Sequence, residues 1–318
     1  MRDSLKDVRA REYPDPDPGI FLNSASWGLI PRSSAEEVAG LTLRRNRIPG
    51  FEEDELGEIQ RRCRGALASL LDVSSDEIAL VPNTSYGVNL GAALVARRDP
   101  GTILLSRGEF PANVLPWKAL EDQGFRVHVV EAGPDGLPRE DALLRRLDDP
   151  EVRALAVSAV QFSTGYRMDL QRLGAACRTR GVLFIVDAIQ AVGAVPLRPE
   201  KLHIDLLASG GQKWLCSPWG SGFAWIPRRH HGSFDPPMVS WLSMKGATRF
   251  EGTPRYRLDW LDDARKYELG THGVQDYLGL ARSVEVLLEC GLEAIRRHIL
   301  HVHEPVVEWI RARRDVAP

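Results

Sequence analysis

Lys213, in the run Ser209-Gly210-Gly211-Gln212-Lys213-Trp214, carries an amine that becomes a nucleophile or a base once it sheds its proton. Upstream, the apolar run Val182-Leu183-Phe184-Ile185-Val186 ends in an acid, Asp187, and three residues later comes the amide of Gln190. A carboxylate closing such a run is costly to bury unpaired, so it calls for a salt bridge or a bound cation; capping the helix that starts near Gln190 is the plainer alternative. Strand ends of this kind are where open α/β sheets bind ligands. Gly210 and Gly211 before the lysine, and Gly220 and Gly222 after it, permit close backbone approach to a ligand, which a plain surface lysine would not need.

An acid, an amide and an amine together match the needs of a pyridoxal phosphate ring: a partner for its pyridinium nitrogen, a donor to its phenolate and a Schiff base. Two further stretches bear on that reading. Thr84-Ser85-Tyr86-Gly87 falls between a strand and a helix, where backbone N–H groups and the helix dipole favour a phosphate, although Ser and Thr there also serve as ordinary N-caps. In Glu109-Phe110-Pro111-Ala112-Asn113, Phe110 is placed to stack on a flat ring or to fill the core. Asn113 is a cofactor or substrate contact, or the cap of the following helix.

The elements that must position these residues alternate. Strands are expected at 78–81, 102–105, 126–130, 154–160 and 182–186, with helices from Tyr86, around 114–120 and after Asp169, and a returning strand at Phe223-Ala224-Trp225-Ile226. That alternation means an α/β fold with a mostly parallel sheet and right-handed crossovers, Lys213 lying on the crossover after Asp187. Residues 1–19, with Pro14, Pro16 and Pro18, read as an extended arm, and structure starts near Ile20. Residues 20–270 form a large α/β domain, and 271–318 a helical segment in which Ile295, Ile299, Val302, Val306 and Ile310 keep one apolar face, with Pro305 marking a kink or restart.

Composition narrows the classes. With 318 residues, 41 Lys+Arg against 43 Asp+Glu, the chain is long enough for a large core and carries no field to steer it to nucleic acid or anionic membrane. Cys63, Cys177, Cys216 and Cys290 are too widely spaced for a disulfide framework or a zinc site, which points to a reducing, cytoplasmic setting and no metal. No signal peptide or spanning segment is expected.

As a set, Phe21-Leu22-Asn23-Ser24-Ala25-Ser26-Trp27-Gly28, Pro82 to Gly87, Glu109 to Asn113, Val186-Asp187-Ala188-Ile189-Gln190, Ser209 to Trp214 and Gly270-Thr271 resemble the class V aminotransferase family of fold-type I pyridoxal phosphate enzymes. That group includes cysteine desulfurases, isopenicillin N epimerase and kynureninase, and the resemblance covers roughly residues 20–310. It implies a seven-stranded-type sheet flanked by helices. It also implies Lys213 as the Schiff-base lysine, Asp187 against the pyridine nitrogen, Gln190 on the phenolate oxygen and Phe110 on the ring. Thr84 and Ser85 would hold the phosphate, and Thr271 would reach the phosphate of a neighbouring subunit's cofactor, making a homodimer with a composite site. Asn23, Ser26 and Asn113 are candidate substrate contacts, and Tyr86, Trp27, Trp241 and His272 candidate pocket walls.

The pattern departs from the family in three places. Relatives often carry Ser-Gly-His-Lys where this chain has Gly210-Gly211-Gln212-Lys213, so phosphate contacts shift to Gln212 or Ser209. Phe162 stands where many desulfurases have an asparagine. Relatives also continue into a small domain with a carboxylate-binding arginine and, in desulfurases, a sulfur-accepting cysteine; the sequence ends at Pro318, with that domain expected to be largely absent. The resulting expectation is an enzyme acting at the α-carbon of an amino acid or amine, aminotransferase or epimerase-like, with a C–S lyase or cysteine desulfurase as the alternative. From another class comes a non-catalytic subunit that binds a partner protein through the apolar face of the last helix. A nucleotide-binding protein ranks below these, since no Gly-x-Gly-x-x-Gly follows the first strand.

Overall fold

Short runs of β-branched and aliphatic residues, bounded by polar turns, become the strands of one sheet: β1 (Ile78–Val81), β2 (Thr102–Ser106), β3 (Arg126–Val130), β4 (Val152–Ser158), β5 (Leu183–Asp187), β6 (Leu206–Gly210) and β7 (Gly222–Trp225). The computed structural model describes residues 5–14, 21–47, 53–246 and 257–313. The strand order is β1-β7-β6-β5-β4-β2-β3, with β7 antiparallel to both of its neighbours and every other pairing parallel. The expected mostly parallel, seven-stranded α/β sheet is present.

Alternate residues of the strands feed two cores. In β5, Leu183 and Ile185 face a layer with α4 (Thr84–Val95) and Trp117 of α5 (Leu115–Ala119), whereas Phe184 and Val186 face the opposite layer. That second layer takes Leu67 of α3 (Glu53–Leu71), Leu143 of α6 (Glu140–Arg146), Leu173 of α7 (Leu170–Arg180) and Val284 of α8 (Val274–Cys290). A strand buried on both sides reads as a continuous apolar run, as parallel sheets require.

Two expectations are corrected. The arm over residues 1–19 is not extended throughout: α1 (Leu5–Glu12) forms from good helix formers, buries Val8, pairs Arg11 with Glu289, and directs Glu12 to the N–H and hydroxyl of Ser33 at 3.0 and 2.7 Å. Pro16 and Pro18 lie outside the described residues. Lys213 lies not on a crossover between parallel strands but in the loop joining β6 to antiparallel β7, so its backbone is held at both ends by one pair of strands.

The helices at the chain's end behave differently from one another. α8 packs against α2 (Arg32–Arg44) and α3 and buries Leu280, Ala281 and Val284, so it is part of the main body. α9 (Leu292–Ala312) runs through Pro305 as one span, buries none of its residues, and leaves Leu300, Val302, Val306 and Trp309 half exposed.

Candidate active site

The site forms where the carboxyl ends of β1, β2, β4, β5 and β6 meet. Asp187 is the last residue of β5 and, by strand alternation, points to the α4 side of the sheet. It is 2 % exposed, and among the described residues its carboxylate accepts one hydrogen bond, from the Ile189 N–H to Oδ1 at 3.0 Å. Burial, with the nearby Glu109 carboxylate adding to it, pushes its pKa up to about 7; the Ile189 N–H and Lys213 pull the other way. A buried acid with one oxygen left unbonded suits a cationic N–H ligand.

Lys213 is half buried, its Nζ 5.7 Å from the centre of the Phe110 ring. Burial lowers its pKa, with Asp187 opposing, so more of the amine is neutral near pH 7 than in an exposed lysine. Phe110 is 45 % exposed and meets Phe162 edge-on at 5.1 Å. Two aromatic rings thus wall the space above the lysine, and Phe162 takes a place that sequence alone left without a role.

At the start of α4, Asn83 caps the helix by accepting the Tyr86 N–H at 2.9 Å. Thr84, on the first turn, accepts the Gly210 N–H at 2.8 Å and so ties the helix start to the end of β6, while Ser85 stays exposed. The Thr84 hydroxyl keeps its own proton to donate. The Gln212 amide folds back over Gly210, so that a Cβ there would meet Gln212 Oε1 at 2.4 Å and the amide would have to swing away.

Gln190 bridges two segments. Its Nε2 donates to the Ala25 carbonyl at 2.9 Å, and its Oε1 accepts from Trp214 Nε1 at 2.8 Å, which fixes the amide's orientation and leaves one N–H over. Asn23 and Ser26 lie exposed on the turn carried by Ala25. Gly28 follows with its N–H on the Gln212 carbonyl at 2.8 Å, and a Cβ at Gly28 would stand 2.2 Å from the Lys213 carbonyl. The N-terminal segment therefore lies directly on the lysine loop.

Several predicted contacts sit elsewhere. Ser209 points to the opposite face of β6 from Asp187, fully buried, and donates to the Gly210 carbonyl at 3.0 Å. Asn113 is fully buried behind the crevice wall: its Nδ2 donates to Glu109 at 2.9 Å and its Oδ1 accepts from Trp117 Nε1 at 3.2 Å. Thr271 lies exposed in the segment leading to α8. Of the candidate walls, Tyr86 donates to the Tyr267 carbonyl at 2.9 Å and His272 pairs with Gln60 at 2.9 Å, both inside the protein. Trp241 packs over Gly270.

Sequence reading missed Ser158, Trp214 and the role of Glu109. Ser158 carries the same signal that exposed Asp187, a polar residue ending an apolar strand. A separate cavity of about 690 Å³ beside α7, floored by Met168 and Leu197, holds none of these residues.

The residues fit pyridoxal phosphate: an under-bonded buried acid, a lysine with a lowered pKa, an aromatic wall and a helix start with a free hydroxyl. Comparison with known proteins agrees. The model of the aminotransferase class-V family matches residues 51–317. An isopenicillin N epimerase of Amycolatopsis lactamdurans is 32 % identical over 322 aligned positions, covering 98 % of this chain and 80 % of its own. A probable cysteine desulfurase of Aeropyrum pernix is 27 % identical, covering 93 % of this chain and 73 % of its own. A cysteine desulfurase structure from Thermococcus onnurineus superposes with a TM-score of 0.86 at 22 % identity over 98 % of this chain and 78 % of that one, a likeness of fold. The chain belongs to the class V aminotransferase family of pyridoxal phosphate-dependent enzymes.

Proposed function

We propose that the protein moves a proton at the α-carbon of an amino acid or amine, with an epimerase-like or aminotransferase outcome. The observation that carries this is Lys213, an amine with a depressed pKa held beside the aromatic wall and an acid awaiting a cation. Bound pyridoxal phosphate supplies an electron sink that acidifies the α-C–H of an attached amine. Lys213 would be the residue that holds the cofactor, and its Nζ would be the base that takes and returns the α-proton. Asp187 would pair with the ring nitrogen, Gln190 would offer its remaining N–H to the ring oxygen, and Thr84, Ser85 and Gln212 would hold the phosphate. Phe110, with Phe162 against its edge, would offer an aromatic face to the ring.

Burial raises the pKa of Cys216 to about 11 and of Cys177 to about 12, and it also pushes Cys63 and Cys290 up. None of these described cysteines is a ready thiolate at neutral pH. A C–S lyase or desulfurase is the second reading, favoured by relatives named probable cysteine desulfurases. We further propose a homodimer in which Thr271 serves the neighbouring subunit's site, and a reducing, cytoplasmic setting for four unpaired cysteines. No described helix is long and apolar enough to cross a membrane.

The test starts from the near-visible absorption band that pyridoxal phosphate gains on covalent attachment. The band should appear with wild type and not with Lys213→Ala. Amino acids that perturb it are then followed in D2O. Deuterium entry at the α-carbon without keto-acid demand supports epimerisation, and keto-acid dependence supports transamination. Sulfide release from cysteine would replace both with the lyase reading.

A further inference from the structure

Glu109 is a buried carboxylate that the proposed chemistry does not use. It follows β2 and reaches across to β4, where Ser158 presents it with both its N–H, at 3.0 Å from Oε1, and its hydroxyl, on Oε2. Asn113 Nδ2 adds a third donor at 2.9 Å, itself steadied by Trp117 Nε1 on its Oδ1. Ser158 is the register partner of Asp187 across the β4–β5 pair, and paired residues of adjacent strands project to the same face. The Ser158 hydroxyl is therefore the side-chain donor nearest in the sheet to the Asp187 carboxylate, yet it is turned to Glu109.

We propose that Glu109 is a positioning residue for Asp187: by taking the hydroxyl of Ser158 it leaves the Asp187 carboxylate with a single backbone hydrogen bond, reserving its second oxygen for the ring nitrogen of the cofactor. A serine hydroxyl on Asp187 would compete with a ring N–H for the same lone pairs and weaken the acid as an acceptor. A negative charge on Glu109 close to Asp187 also stabilises a cationic ring directly, by the same field that opposes ionisation of Asp187. The Asn113 and Trp117 bonds hold Glu109 in reach of Ser158, which gives the buried Asn113 a function without contact to substrate.

The proposal rests on the pyridoxal phosphate reading and is tested in binding. Cofactor-free protein is titrated with pyridoxal phosphate and with its 1-deaza analogue, in which C–H replaces the ring nitrogen, and both are followed by absorption and by tryptophan fluorescence. Failure of wild type to bind pyridoxal phosphate would remove the cofactor reading itself, independently of Glu109. With binding in place, Glu109→Gln releases the Ser158 hydroxyl and removes the charge. It should weaken pyridoxal phosphate about tenfold while leaving the deaza analogue within about threefold. Equal loss for both ligands, or no loss for either, overturns the proposal. Should Glu109→Gln fail to fold, Ser158→Ala probes the same point from the other side. With no hydroxyl to compete and Glu109 still charged, the wild-type preference for pyridoxal phosphate over the analogue should persist, and its disappearance would be the contrary result.

Discussion

Two buried acids, Asp187 and Glu268, are equally hidden, each 2 % exposed, and are treated in opposite ways. Glu268 is saturated: Arg64 reaches it in a forked pair, Nε at 3.0 Å and Nη2 at 2.6 Å to its two oxygens, and the Leu80 N–H adds a bond at 2.9 Å. Its charge is matched within the fold, and it ties α3 and β1 to the segment before α8. Asp187 receives one N–H and a distant lysine, and its pKa is driven up as a result. The difference separates an acid that holds a structure together from one that the structure keeps available for a ligand.

The largest effect should come from breaking the saturated acid. Glu268→Gln leaves Arg64 buried without a counter-charge and should remove about 3–5 kcal/mol of stability in denaturant unfolding. Asp187→Asn should do the reverse, changing the stability of the cofactor-free protein by no more than about 1 kcal/mol while pyridoxal phosphate retention falls sharply on gel filtration. A comparable stability loss in both variants would erase the distinction.

The pH dependence sharpens the comparison further. Asp187 binds its proton more tightly when folded, near pH 7, than at its ordinary 3.8. Its contribution to the stability of cofactor-free protein is thus complete below about pH 4 and is lost as pH rises toward 7. Thermal melts of wild type should show that decline and melts of Asp187→Asn should lack it. A bound cofactor cation should flatten it. The smallest effect belongs to α9, where nothing is buried: Val302→Ser with Val306→Ser should move stability by under about 0.5 kcal/mol in this chain. A larger loss would mean that the face is covered in solution.

The contrast also marks what a sequence makes legible. Asp187 stood out because an acid ended an apolar strand, and the alternation of strands and helices predicted the sheet around it. Glu268 did not stand out, since its partner Arg64 lies in a helix whose apolar spacing is interrupted by Gly57, Arg62 and Gly65. A pairing across 204 positions leaves no local trace. Ser209 was misplaced for a related reason: one residue along a strand reverses the face, and only the Asp187–Ala208 register places Gly210 rather than Ser209 on the α4 side. Asn113 read as a ligand contact or a cap because only its place between strand and helix was visible; the Glu109 and Trp117 bonds that engage it come from folding of the loop onto β4.

The bond from Gly28 to the Gln212 carbonyl, with no room for a Cβ against Lys213, makes the beginning of the chain a tuning screw for the amine. A bulky substitution at Gly28 would push on the Lys213 carbonyl and so change the reach and burial of its amine from outside the crevice. Variation near the N-terminus should therefore be read in the pH profile of the enzyme before it is read in its stability.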